Sequence, residues 1–369
     1  MSLSDDLANR RICVCVGAGG VGKTTTAAAI ALGLAAGGKR VALITIDPSR
    51  RLAGALALDA LAAEPVRLSA AHLAPTGLPV RGEVWAMVLD PKRTFDDLIR
   101  SVAPDDATRE RVFANRVYRE ISSAVGGSHE FTAVAKLYDL DRSGEFDAIV
   151  LDTPPSRNTV DFLRAPQNLI QFFDAPALAL MAAPVGAGAR LARSARAPAL
   201  ALLRRLVGVD LLGEMGSFFG AVGSLMGDFR VRAGAVAALL RSDATAFVLV
   251  STPEPEPVRE SIAFAGELVD TGMSVARGVV NRVTLTPPGV GSAHARATLV
   301  EVLGERLSAS VLNATEKSAL RAAHDARGVA ELRRGLQGVP LTLVPMLDRS
   351  LAELETLGAV ARTLFHAGR

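Results

Sequence analysis

The chain has 369 residues, 49% hydrophobic and 21% charged, enough to bury a large core as one elaborated α/β domain or as two. Its net charge of +3 comes from 41 basic and 38 acidic residues mixed along the sequence, which implies no dedicated nucleic-acid surface, and two cysteines provide no disulfide framework. Met1 to Arg10 holds no apolar run, and the longest uncharged apolar run, Ala175 to Ala189, is short and broken by Pro176 and Pro184. The expectation is a soluble cytoplasmic protein without a secretory leader.

In chain order, the first strong signal spans Arg11 to Thr26. Ile12 to Val16 reads as a strand, Gly17 to Thr25 as a glycine-rich loop, and Thr24 to Ala36 as an alanine- and leucine-rich helix that stops at Gly37-Gly38. Gly17, Gly22, Lys23 and Thr24 fit G-x-x-x-x-G-K-[ST], in which backbone N–H groups converge on nucleotide phosphates. Lys23 then reaches the β- and γ-phosphates, the Thr24 hydroxyl holds Mg²⁺, and the helix amino end adds its partial positive charge. Gly19, Gly20, Val21 and Thr25 complete the cradle. The same stretch satisfies G-x-G-x-x-G through Gly17, Gly19 and Gly22, but a dinucleotide fold has no use for Lys23-Thr24. Cys13 and Cys15 alternate across the strand and read as buried small apolar residues.

Arg40 to Ile46 is an apolar run suited to a parallel strand covered on both faces, delivering Asp47-Pro48-Ser49-Arg50 into the next loop. Asp47 either serves the nucleotide or caps a helix starting near Arg51. Val84 to Leu89 predicts a further strand, followed by a helical region from Thr94 to Leu140 that Gly126-Gly127-Ser128-His129-Glu130 interrupts. Phe146 to Leu151 predicts a buried strand ending in Asp152, an acid placed to hold Mg²⁺ through water opposite Thr24. Ala165 to Leu240 shifts to Ala, Leu, Gly and Met without a strand pattern and reads as a helical insertion. Its Phe172, Phe173, Met181, Met215, Phe218, Phe219 and Met226 suit its own core. Regular α/β resumes with strands at Ala246 to Val250, Ser274 to Val280 and Leu341 to Val344. A final helix carries Leu351, Leu354, Leu357, Val360, Ala361 and Leu364 on one face.

These loops resemble those of the ArsA-type ATPases, the deviant-Walker group that includes arsenite-efflux and tail-anchored-protein targeting ATPases, and most closely its actinobacterial anion-transporting branch. The resemblance rests on Gly17 to Thr25 and on Asp152-Thr153-Pro154-Pro155-Ser156-Arg157-Asn158, and it runs over most of the chain. It implies an α/β P-loop NTPase, with a mostly parallel sheet flanked by helices and an inserted helical subdomain. Residues 1–93, 141–165 and 241–369 would form the nucleotide-binding domain, and 94–140 with 166–240 the helical subdomain. It implies ATP and Mg²⁺ as cofactors, Asp47 as the residue that orients the attacking water, Glu130 as a nucleotide-sensing acid, and Asn281 and Pro345 against the base. Asn281 also reads as a turn residue.

It further implies a homodimer, or a heterodimer with a related subunit, that opens and closes with hydrolysis and handles a hydrophobic client or serves a membrane transport system. It also implies that the methionines and phenylalanines of the insertion line a groove, as such residues do in the tail-anchored-protein targeting ATPases. No nucleic-acid partner is expected. The alternatives are a MinD- or ParA-like positioning ATPase and a nucleotide-binding regulatory subunit with little turnover. The sequence departs from the pattern at Ala18, where the deviant class has a dimer-crossing lysine; a partner subunit or Arg50 or Arg51 would have to substitute. It also lacks the cysteines of the arsenite and zinc sites.

Overall fold

The computed structural model describes residues 3–47, 50–103, 105–116, 118, 129–153, 226–285, 293–348 and 352–366. These fall into two compact units, one within Met1–Val88, Gly144–Val160 and Asp243–Arg369, the other within Leu89–Ser143 and Asp161–Ser242.

The first unit is an eight-stranded sheet with helices. Its strands are β1 (Ile12–Gly17), β2 (Arg40–Thr45), β3 (Val66–Arg67), β4 (Glu83–Val88), β5 (Ala148–Asp152), β6 (Thr245–Ser251), β7 (Val275–Val283) and β8 (Leu341–Pro345), in the order β3-β4-β2-β5-β1-β6-β7-β8. All neighbours are parallel except β3, which runs antiparallel to β4. The sheet is therefore mostly parallel, as expected. Every residue of β1, β5 and β6 is buried, the burial that continuous apolar runs need when both faces are covered. The central strand β1 pairs with β5 on one side and β6 on the other, so the chain's direction of winding reverses there. In open α/β sheets that switch point, at the carboxyl ends of the strands, is where ligands bind.

The helix Lys23–Ala36 follows β1 and buries Ala27 to Leu32 almost completely. Small side chains let other elements approach closely. The helix Glu353–His366 brings the Phe365 ring onto Gly33, where any Cβ would overlap it. Its Leu354, Leu357, Val360, Ala361 and Leu364 are buried, each larger one contributing about 1.5–3 kcal/mol.

Two boundaries differ from the sequence reading, at β7 and at His129, while the helical stretch expected before β8 is found. Strand β7 runs on to Val283, so Asn281 lies inside it rather than beyond its end; Arg282, with φ of 58°, marks an irregular register against β8. The segment Ala293–Gly335 is helical with one break, at Gly304 (φ 74°, ψ 166°). His129 and Glu130 begin the helix His129–Ser143, while Gly126 to Ser128 lie outside the described residues.

The second unit contains the helices Pro91–Val102, Asp106–Ala114, His129–Ser143 and Met226–Arg241. Asp90 and Asp105 cap the first two by accepting the N–H of Arg93 and Thr108. Tyr118 stacks on Phe95 with 5.9 Å between ring centres and donates its hydroxyl to Asp96, while Arg232 pairs with Asp139. The expected insertion residues from Phe172 to Phe219 lie outside the described residues. Among the described residues no helix is long and apolar enough to cross a membrane.

Candidate functional site

The loop after β1 needs glycine at two places for steric reasons. Gly17 has φ of 147°, and a Cβ there would overlap the Val250 carbonyl of the neighbouring strand β6. Gly22, the residue before the helix, is left-handed (φ 97°, ψ 27°), and a Cβ there would overlap the Asn281 amide. L side chains resist both conformations. Gly22 caps the helix without a side-chain hydrogen bond, and Thr26 is the first N–H to bond back, to the Gly22 carbonyl. The N–H groups of Lys23, Thr24 and Thr25 belong to the first turn, which has no intrahelical acceptor.

Lys23 is buried at 7% exposure, its ammonium donating to the carbonyls of Gly17 (3.0 Å) and Ala18 (2.7 Å). Burial lowers its pKa, opposed chiefly by the charge of Asp152. The Thr24 hydroxyl donates to Asp152 Oδ2 at 2.8 Å, and the Thr45 hydroxyl donates to the same oxygen at 3.1 Å. Asp152 is almost wholly buried, and its Oδ1 has no hydrogen-bond partner among the described residues. Burial pushes its pKa up to about 6 against the pull of Thr24, Thr45 and Lys23. A buried carboxylate with one unused oxygen beside a threonine hydroxyl fits a hydrated divalent cation. Among the described residues no group of three His, Cys, Asp or Glu is placed to hold a metal.

Asp47, just past β2, receives an ion pair from Arg51 at 3.4 Å and donates its own N–H to the Thr45 hydroxyl at 3.3 Å. The helix Arg51–Ala55 has Arg50 as its cap residue, without a side-chain cap, so Asp47 is not its cap. A cavity of about 410 Å³ gathers Gly20, Gly22, Lys23, Thr24, Thr25, Asp47, Arg50, Arg51, Gly54, Ala55 and Thr153. Gly17, Gly19 and Val21 do not line it: Gly17 lies against β6, Val21 is buried, and Gly19 is exposed.

Asn281 is brought to the loop, its amide nitrogen donating to the Val21 carbonyl at 3.0 Å and its oxygen accepting the Arg282 N–H. Pro345 sits apart from these groups, lining a second cavity of about 610 Å³ with Val283 to Leu285, Ala314, Lys317, Ser318, Arg321 and Met346. Sequence reasoning missed Thr45, which joins Asp47 to Asp152, and Arg282, whose guanidinium donates to the Gly20 carbonyl. Thr45 had a signal, a hydroxyl in the otherwise apolar run Val41 to Ile46 two residues before Asp47.

The anion-transporting ATPase family model matches residues 10–183. The chain is 31% identical to the ATPase GET3 of Rhodotorula glutinis over 155 residues, covering 42% of this chain and 40% of that protein. It is 31% identical to the ATPase get3 of Aspergillus terreus over 154 residues, 42% of each chain. It is also 30% identical to the arsenical pump-driving ATPase of Escherichia coli over 168 residues, 43% of this chain and 26% of that one. The matched stretch thus spans about two fifths of the GET3 proteins' length and a smaller share of the pump ATPase. Residues 10–183, which carry the loop Gly17 to Thr25 together with Asp47 and Asp152, are thus the part of the chain that is similar to the anion-transporting, ArsA-type ATPases.

Proposed function

We propose that this chain is a Mg²⁺-dependent ATPase whose hydrolysis drives a dimer between open and closed states. The observation that carries the reading is the meeting, at one end of the sheet, of the first turn of Lys23–Ala36, the Lys23 ammonium, the Thr24 hydroxyl and the strand-end acids Asp47 and Asp152.

In this reading Gly17, Gly19, Gly20, Val21 and Gly22 shape a loop whose N–H groups, with those of Lys23, Thr24 and Thr25, receive the β- and γ-phosphates. Lys23 exchanges the carbonyls of Gly17 and Ala18 for phosphate oxygens, recovering a full counter-charge for its buried ammonium. Thr24 would hold Mg²⁺ and Asp152 would hold it through water, a role that the unused Oδ1 of Asp152 supports; the ion would supply positive charge against the phosphates. Asp47 orients a water whose oxygen bonds to the γ-phosphorus as the bond to the β,γ-bridging oxygen breaks. ADP leaves with that electron pair, and the water's proton leaves with the phosphate. The base lies against Pro345 and Asn281, the latter giving up the Val21 carbonyl to reach it.

The dimer, the helical subdomain of 94–140 and 166–240 and its hydrophobic client or membrane-transport partner rest on the family resemblance. Light scattering with and without ATP tests the dimer. Steady-state hydrolysis tests the chemistry: turnover should require Mg²⁺, vanish in Lys23→Ala and fall in Asp47→Asn. Turnover indifferent to Lys23→Ala would sink the reading. One observation favours the regulatory-subunit alternative: position 18 is a buried alanine with no charge to offer. Tight ATP binding without turnover would be its signature.

A further inference from the structure

The cavity beside the phosphate loop is lined by three cations, Lys23, Arg50 and Arg51, and by one carboxylate, that of Asp47. Lys23 is bent back onto the loop carbonyls, leaving the two arginines as the cations on the far wall. Their placements differ. Arg50 is exposed and forms the cap position of the short helix, whereas Arg51 is that helix's first residue and reaches Asp47, Nη1 to Oδ2, at 3.4 Å. That separation is longer than the 2.7–2.9 Å of a good charge-assisted hydrogen bond. The Arg51 side chain is also 65% exposed, and ion pairs of that kind are weak. A loose tether of this sort yields to a better anion. A terminal phosphate carries more charge than a carboxylate and matches the planar fork of a guanidinium in two-point contact.

We infer that Arg51 reads the terminal phosphate of the nucleotide: it leaves Asp47 for the γ-phosphate, so that its side chain distinguishes a triphosphate from a diphosphate. It also supplies, from the same chain, a cation on the side of the site where position 18 offers none. This rests on the ATPase reading above and deepens it.

The experiment is a pair of equilibrium affinities, for a non-hydrolysable ATP analogue and for ADP, each with Mg²⁺, on the full chain and its variants. Arg51→Ala should weaken the analogue by tenfold or more while leaving ADP within about twofold. Arg51→Lys should restore part of that loss, since the charge returns without the fork. Asp47→Asn should bind the analogue several-fold more tightly than the unsubstituted chain, because the tether no longer competes, with ADP again unmoved. A purely structural Arg51 would not weaken the analogue while sparing ADP. Equal losses for both nucleotides in Arg51→Ala, or equal losses in Arg51→Ala and Arg50→Ala, would overturn the inference in favour of diffuse charge. Because Arg51 is mostly exposed, Arg51→Ala should melt with the unsubstituted chain, which separates a binding loss from a folding one. If the unsubstituted chain binds neither nucleotide, the ATPase reading falls first and this falls with it.

Discussion

The two ends of the central strands carry polar clusters of similar size and opposite character. At the amino ends, the Arg40 guanidinium lies 4.9 Å from the Trp85 ring centre and 5.3 Å from that of Phe146, and meets Glu83 at 3.2 Å. Glu83 also receives Arg67 at 3.0 Å and the Trp85 indole N–H at 2.9 Å. The Arg40 N–H donates to Asp147 at 2.7 Å. Arg40, Glu83 and Arg67 each have an opposite charge against them, and Asp147 accepts a backbone N–H, although the buried Arg40 Nε meets Glu83 as an ion pair without a hydrogen bond. At the carboxyl ends, Asp152 keeps an orphaned oxygen and an elevated pKa, Lys23 is buried on neutral carbonyls, and the ion pair from Arg51 to Asp47 is long and exposed. The same strands therefore end in a settled cluster and in an unsettled one. The unsettled groups are those that a phosphate and a cation would satisfy, and such unmet demand, rather than polarity, separates a site from a brace.

The contrast can be broken or sharpened by substitution. The largest expected effect is Lys23→Ala, which should cut ATP turnover by roughly 10²- to 10³-fold, as loss of a preorganised charge does elsewhere; a tenfold loss or less would put Lys23 among the braces. Next comes Asp152→Asn, which should disable hydrolysis yet stabilise the nucleotide-free chain. The folded pKa of about 6 lies above the ordinary 3.8, so the folded state binds this proton more tightly than the unfolded state. Its contribution to stability is full below about pH 4 and is lost as the pH rises through 6. At pH 8 the ionised group is a burden of about 1–3 kcal/mol that asparagine removes, a gain of several degrees in Tm that should shrink as the pH approaches 4.

The same proton gives a binding prediction. Mg²⁺-nucleotide affinity should fall below pH 6 as Asp152 is neutralised, and the difference between wild type and Asp152→Asn, which cancels the titration of the phosphate itself, should shrink with it. At the opposite ends of the strands Arg40→Ala should cost about 1–3 kcal/mol of stability, from two ring contacts and an ion pair, with nucleotide affinity unchanged. Calorimetric melts beside a nucleotide titration check both halves of that statement. The smallest effect belongs to Thr45→Val, about 1–2 kcal/mol from two lost hydrogen bonds, to Asp152 and from the Asp47 N–H, together with an Asp152 midpoint pushed further up.

How much of this was legible beforehand follows from distance along the chain. The phosphate loop could be read because its glycines, lysine and threonine are adjacent, and Asp47 and Asp152 because an acid closing an apolar run is conspicuous. The pairing of Thr24 with Asp152 spans 128 residues and that of Asn281 with Val21 spans 260, and no local pattern encodes either contact. Asn281 looked like the residue after a strand because the apolar run stops at Val280. The backbone continues to pair beyond it, after a break at Arg282 that hydrophobic periodicity cannot register. The two-residue strand β3 escaped notice for a similar reason, since both its side chains are exposed and carry no burial pattern.

One packing feature reaches into the life of the chain before it is folded. The helix that opens at the phosphate loop is covered by Glu353–His366, with Phe365 on Gly33 and Arg362 donating to the Thr76 carbonyl across 286 residues of sequence. At ordinary translation speeds the covering helix emerges on the order of tens of seconds after the one that it protects. For that interval the alanine face of Lys23–Ala36 has no lid, and the nascent chain must be shielded by other means or kept from neighbours on the same messenger. An anion that settles the loop early would shorten that vulnerable period, giving the ligand of the loop a part in the protein's biogenesis.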